Sequence, residues 1–348
     1  MAMDRRTILR GIGGVGAGAA TLVAKPGLIG PALGQDKVTW KAVTTHRVGA
    51  AWAHRWPWLL DEIKTKSNGR LVLDVTTLPE LGLSGQELLR TLRANLIDYV
   101  DIVAGYVGGD FPAIEAPQLP GVFLDYAISR KAVDAWVPKV IEPRQDIIGG
   151  RVISHFNYNT VYLFTKNPLE KLEDIKGMKI RTFSVGLADF VAALGGEPVS
   201  MPVADLYTGL ERGTIQGAIT GPDQVEGQRL YEVCKGLTDI LCGSSPAYTV
   251  ISKKSWDRLP ADLKKVIEDL APTLTNKGWE IGDINNRYGV ELAKAKGMTV
   301  LTAPKPEWVE PLRKIGKDVV AAKWSKRVGA QVTKQFNEIL GPIAGITI

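Results

Sequence analysis

Several kinds of residue and pattern are scarce in this 348-residue chain. Cysteine occurs twice, at Cys234 and Cys242, a spacing that fits no usual metal motif, with no histidine near either one in sequence. The two could pair in an oxidising compartment or stand as separate buried thiols. Histidine occurs three times. His46 and His54 straddle an expected strand-to-helix junction, a poor arrangement for sharing a metal, and His155 sits alone in a strand, so no metal site is expected. No G-x-S-x-G, H-E-x-x-H or C-x-x-C pattern occurs. The carboxylate pairs Asp61-Glu62 and Glu173-Asp174 are adjacent, and adjacent side chains do not face each other on a helix. The chain therefore reads as a non-enzyme without a cofactor, a periplasmic enzyme acting on a small acid being the weaker alternative. Blocks of like charge are absent as well, which removes the footprint of a nucleic-acid binder. The net charge of +6 falls to +3 without residues 1–34, which carry Arg5, Arg6, Arg10 and Lys25 against Asp4.

Long apolar runs are also missing. The longest candidate, Gly11 to Ala24, covers 14 residues, too few to span a bilayer. It follows Asp4-Arg5-Arg6-Thr7-Ile8-Leu9-Arg10 and precedes small residues ending at Ala32-Leu33-Gly34. A basic head, an apolar middle and small residues before a cut make a secretory signal. The adjacent arginines point to the twin-arginine route, with cleavage expected near Gly34-Gln35 and a periplasmic mature protein. A short N-terminal anchor is the alternative. Gly11-Ile12-Gly13-Gly14-Val15-Gly16 matches the dinucleotide pattern but lacks the preceding strand that would aim its amides at a phosphate.

What the chain does contain is alternation. Strands are expected over Val38–Thr44, Arg70–Thr76, Tyr99–Ala104, Val152–Phe156, Tyr162–Thr165, Lys179–Phe183, Ala218–Thr220, Thr249–Ser252 and Thr299–Leu301. Helices are expected over Trp52–Lys66, Gln86–Ala94, Ser129–Ile141, Ala188–Leu194, Asp205–Arg212 and Ala261–Ala295, the last bent at Pro272, with more over Glu307–Leu340. Proline-rich Asp110–Gly121 reads as a loop. Such alternation predicts an α/β fold with parallel sheets covered by helices, in two units with a ligand cleft between them.

A set of ordered motifs then narrows the reading. Leu172-Glu173-Asp174-Ile175-Lys176-Gly177-Met178-Lys179-Ile180-Arg181 is followed by Leu194-Gly195-Gly196-Glu197-Pro198-Val199 with Met201-Pro202. Asp205-Leu206-Tyr207-Thr208-Gly209-Leu210-Glu211-Arg212-Gly213 comes next, then Trp256 with Leu259-Pro260. Lys66-Ser67-Asn68-Gly69-Arg70 and Leu81-Gly82 fit near the front. Over about Val38 to Pro272 the chain resembles the extracytoplasmic solute receptors of tripartite ATP-independent periplasmic (TRAP) transporters, of the dicarboxylate-receptor type. The resemblance implies a two-lobed periplasmic-binding-protein-like fold, a long helix bracing both lobes, and closure over a small organic carboxylate that is handed to TRAP membrane subunits. A receptor for an ATP-driven transporter is a further alternative. One lobe is expected over 35–158 plus 246–288 and the other over 159–245 plus 289–348.

The resemblance also implies that Arg181 pairs with the ligand carboxylate, which suits a planar guanidinium able to form two charge-assisted bonds. Three positions depart from better-known members. Val161 replaces the second arginine of the sialic-acid receptors, Ile219 a frequent glutamate, and Thr220 an asparagine or tryptophan. With an acidic partner and a second cation missing, a sugar acid or dicarboxylate is disfavoured, and a monocarboxylate with an apolar or aromatic body is expected. Tyr106, Phe156, Tyr158, Phe183 and Tyr248 are the candidate wall, with polar contacts from Thr45, His46, Asn157, Asn159, Thr220 and Gln224.

Overall fold

The structure is a computed structural model, and it describes residues 37–348. The signal segment read at residues 1–34 lies outside the described residues. Among the described residues eleven strands form two sheets. The first runs β2-β1-β3-β10-β4, with β1 Val38–Thr44, β2 Leu71–Thr77, β3 Tyr99–Val103, β4 Gly150–Thr160 and β10 Ser244–Ser252. The second runs β11-β9-β5-β8-β6-β7, with β5 Tyr162–Thr165, β6 Lys179–Thr182, β7 Glu197–Ser200, β8 Gly217–Thr220, β9 Gly236–Thr238 and β11 Thr299–Leu301.

The sheets are mixed rather than parallel. β1 pairs in parallel with β2 and β3, and β6 with β7 and β8. β10 runs antiparallel to both β3 and β4, and β5 antiparallel to both β8 and β9. The reversal arises because β4 is followed by β5 after a single residue, Val161, so the chain passes from one sheet into the other. It returns at β10 from the opposite direction. β7 and β9 escaped the sequence reading. β7 is a largely exposed edge with no apolar alternation, and β9 is only three residues long. The expected loop at Asp110–Gly121 contains a 3₁₀ segment, Pro112–Gln118.

Local chemistry explains the helices. In Gly49–Lys66, Trp56, Leu59 and Ile63 recur on one face and are buried. The helix stops where Asn68 and Gly69 adopt φ of 52° and 75° and Gly69 N–H donates to the Lys64 carbonyl. The helix Ala261–Ala295 has 35 residues and runs through Pro272 without a break in its assignment, a length of about 52 Å at 1.5 Å per residue. Its buried seam passes through Leu263, Ile267, Leu270 and Leu274 to Asn285, Gly289 and Ala293. The first part packs in a cluster with Trp40 and Leu73 of the first sheet and Trp56 of the helix Gly49–Lys66. The last part, with Val290 and Ala293, packs with Tyr162, Phe164 and Ala218 of the second. One rigid element thus touches both sheets. At Gly289 a Cβ would lie 2.4 Å from the Pro222 backbone, so only glycine lets the helix approach there. Cys234 and Cys242 are free thiols in two different apolar clusters.

Candidate functional site

The parallel strands of both sheets send their carboxyl ends to one place, where open α/β sheets hold ligands. Thr45 and His46 follow β1, Val103 ends β3 and Tyr106 lies just beyond it, Arg181 is next to last in β6, and Thr220 ends β8. These residues, with Tyr158, Asn159, Phe183 and Gln224, line a cavity of about 430 Å³, its opening included. Water-sized groups can centre in only about 50 Å³ of it, where a single water needs about 10–15 Å³. The cavity therefore suits a small molecule.

Arg181 dominates it. The side chain is 1% exposed. Nε donates to the Met201 carbonyl at 2.9 Å and Nη1 to the Ile219 carbonyl at 3.0 Å. Nη2 is buried without an acceptor. A guanidinium has five N–H bonds, so three are left by the two carbonyls, with the Tyr106 hydroxyl close by. The Phe183 ring lies 5.2 Å from its central carbon, and Phe183 meets Tyr106 edge-on at 6.1 Å. Burial pulls the Arg181 pKa down and the Tyr106 hydroxyl pushes it back up; the group stays a cation. Among the described residues no carboxylate lies within ion-pair distance of it.

The opposite chemistry lines another part of the wall. Asp223 is 4% exposed. Its Oδ1 accepts from Asn159 Nδ2 at 2.6 Å, and its Oδ2 from Gln224 Nε2 at 2.5 Å. Gln224 Nε2 also reaches His46 Nε2 at 3.2 Å, and His46 Nδ1 meets Thr45 Oγ1 at 2.8 Å. Burial pushes His46 down to about 4, so at neutral pH it is uncharged and its Nε2 accepts from Gln224. Burial raises Asp223 to about 6, against the two amide donors that favour its charged form.

Nine of the twelve expected site residues surround this cavity. Tyr248 does not. It pairs with Ile102 and His155 across β10, and the strand period of two turns it away from the Val103 face into the core. Phe156 and Asn157 are buried elsewhere. Phe156 carries the Arg55 guanidinium 3.7 Å above its ring, and Arg55 is paired in turn with Asp101 at 3.1 Å. The expectation that the site lacks an acid is overturned by Asp223, which the sequence reading passed over although it named Thr220 and Gln224 on either side. Its place just beyond the carboxyl end of β8 was the available signal. Val103, Val203, Gly221 and Ser245 also line the cavity unforeseen. His155 is tied to Trp279 at 3.1 Å and Asp134 at 3.3 Å, outside the cavity. Among the described residues no three His, Cys, Asp or Glu side chains are grouped to hold a metal.

A family model described as bacterial extracellular solute-binding protein, family 7, matches residues 54–326. The 2,3-diketo-L-gulonate-binding periplasmic protein YiaO of Escherichia coli (strain K12) is 25% identical over 245 residues, 70% of this chain and 74% of that protein. Among solved structures, a Bordetella pertussis extracytoplasmic solute receptor binding pyroglutamic acid superimposes with a TM-score of 0.79 at 20% identity, covering 86% of this chain and 98% of that one. A TRAP solute-binding protein from Rhodoferax ferrireducens, in complex with copurified benzoate, superimposes with a TM-score of 0.74 at 21% identity, covering 87% and 92%.

Proposed function

Since this chain belongs to family 7 of the bacterial extracellular solute-binding proteins, the extracytoplasmic receptors of TRAP transporters, we propose that it captures one small organic monocarboxylate in the periplasm and delivers it to TRAP membrane subunits. The observation that carries this reading is the state of Arg181. It is a buried cation that lines a cavity, its Nη2 has no acceptor, and among the described residues it has no carboxylate counter-ion. A buried unpaired charge is costly unless something completes it. A ligand carboxylate supplies the charge and accepts two parallel bonds.

The other wall residues bear on the body of the ligand. Tyr106, Tyr158 and Phe183 offer ring faces or edges, and Val103, Val161 and Val203 are apolar. With Val161 and Ile219 in place of charged residues, a second carboxylate has no cation to meet. The relatives and structural neighbours that bind organic acids support the ligand class and leave its identity open. On this reading the two lobes, 35–158 plus 246–288 and 159–245 plus 289–348, close over the ligand by hinge motion, and the chain reaches the periplasm through the twin-arginine signal at its N-terminus.

A thermal-shift panel tests the proposal. Small aliphatic and aromatic monocarboxylates are expected to raise the melting temperature of the mature protein. A panel in which only dicarboxylates or sugar acids stabilise would reject it.

A further inference from the structure

We infer that Asp223 is a second ligand anchor, selecting among small carboxylates those that carry an N–H or O–H donor in addition to the acid group. The inference rests on the carboxylate-receptor reading above and narrows it.

The cavity has two poles. Arg181 supplies a donor pole, its Nη2 buried without an acceptor. Asp223 supplies an acceptor pole, and the two do not form an ion pair, although Tyr106 lies in the electrostatic reach of both. Arg55 and Asp101 make the contrast. There a buried cation and anion meet directly, through Arg55 Nε at 3.2 Å and Nη2 at 3.1 Å, and Thr249 Oγ1 donates to Asp101 at 2.7 Å. That pair neutralises its own charges, although Arg55 Nη1 is also buried without an acceptor, whereas Arg181 and Asp223 each line the cavity without an ionic partner among the described residues.

The partners of Asp223 are all neutral donors from the protein. One amide N–H from Asn159 and one from Gln224 occupy one site on each oxygen. A carboxylate offers about four acceptor sites; the Asp223 and Gln224 backbone N–H groups also lie close enough to favour its charged form, and the remaining capacity is open to a further donor. Because Gln224 Nε2 is held between Asp223 and His46, its Oε1 is turned away from both, buried and without a donor. Neutral His46 brings no charge to this side, since one ring nitrogen accepts from Gln224 and the other meets Thr45. The wall thus holds unused acceptors and no unused cation. An apolar ligand body pressed against it would strip water from Asp223 and return nothing. A second carboxylate would meet a like charge. A hydroxyl, an amide N–H or an ammonium supplies the donor that Asp223 lacks.

The test is calorimetric titration of the mature protein with three pairs of acids, each pair differing by one hydroxyl: propionate and lactate, butyrate and 3-hydroxybutyrate, phenylacetate and mandelate. In at least one pair the hydroxy acid is expected to bind tenfold or more tightly than its partner. In Asp223→Asn that ratio is expected to shrink to less than about threefold. Equal affinities within every pair, or a ratio that survives in Asp223→Asn, would overturn the inference. If those equal affinities vanish in Arg181→Ala, the carboxylate reading stands and only Asp223's role falls. If no acid binds, both fall. Should Asp223→Asn not fold by circular dichroism, the ratios measured on the native chain decide alone.

Discussion

Arg55 and Arg181 are both buried arginines, and they differ in what neutralises them. Arg55 has Asp101, Thr249 and the Phe156 ring. Arg181 has two carbonyls. Opposite mutational behaviour follows. Arg55→Ala leaves the Asp101 carboxylate buried and unpaired, so thermal or denaturant unfolding is expected to show a loss of about 3–5 kcal/mol. Arg181→Ala removes a charge that had no partner, so the ligand-free protein is expected to melt within a few degrees of the native chain. The same variant is expected to lose ligand-induced stabilisation, with affinity lowered at least about a hundredfold for two charge-assisted bonds. Equal damage to the free protein from both substitutions would contradict the assignment. Arg181 was legible in the sequence because an ordered motif precedes it. Asp223 was not, since a lone aspartate after Gly221-Pro222 looks like any turn residue until its neighbours are placed in space. Tyr248 was misplaced for the complementary reason. Which face of a central strand points to a cleft depends on pairing register, and register is a long-range property.

Two element-level contacts carry further predictions. The long helix passes the Pro222–Asp223 backbone so closely at Gly289 that a methyl group would overlap it. Gly289→Ala is therefore expected to displace Asp223 and weaken ligand binding by tenfold or more in calorimetry, whatever the gain in helix propensity. Unchanged affinity would mean that the helix does not position this wall. The second contact is Glu115, in the Pro112–Gln118 segment, 1% exposed and facing Ser184, Val185 and Gly186 at the start of the helix Val185–Ala193. Burial pushes its carboxyl from 4.5 up to about 7. The folded chain thus keeps a proton that the unfolded chain releases, so this contribution is complete below pH 4.5 and is lost as pH rises through about 7. Glu115→Gln cannot lose it. The stability of the variant relative to the native chain is expected to improve between pH 5 and pH 8 by about 2–3 kcal/mol, read from melting curves at both values. Asp223 and Asp239, raised to about 6, and His46 and His155, lowered to about 4, titrate in both proteins and cancel in the difference. A difference that stays flat with pH would reject the assignment.

At the scale of the whole molecule, two sheets share one cavity and one long helix spans both. Lobe closure is expected to shrink the particle on ligand addition. Small-angle scattering should show a smaller radius of gyration for the native chain with a bound monocarboxylate and no change for Arg181→Ala. Contraction of both, or of neither, would separate closure from the Arg181 contact. The site draws on segments from Thr45 to Ser245, so its parts come together only when both sheets are formed.

The sequence by itself determined the elements whose signal is local. β1, β5 and β11 were read to the residue, and the long helix from end to end, because strand alternation and helical periodicity are written into neighbouring side chains. Ordered motifs added Arg181 and the family. Tertiary structure alone decided the antiparallel runs of β5 and β10, the inward turn of Tyr248 and the exposed edge at β7. It also decided how each buried charge is neutralised. That depends on which atoms arrive within about 3 Å from positions far apart in the chain. Arg55 finds Asp101 there, Asp223 finds two amides, and Arg181 is left open to the cavity.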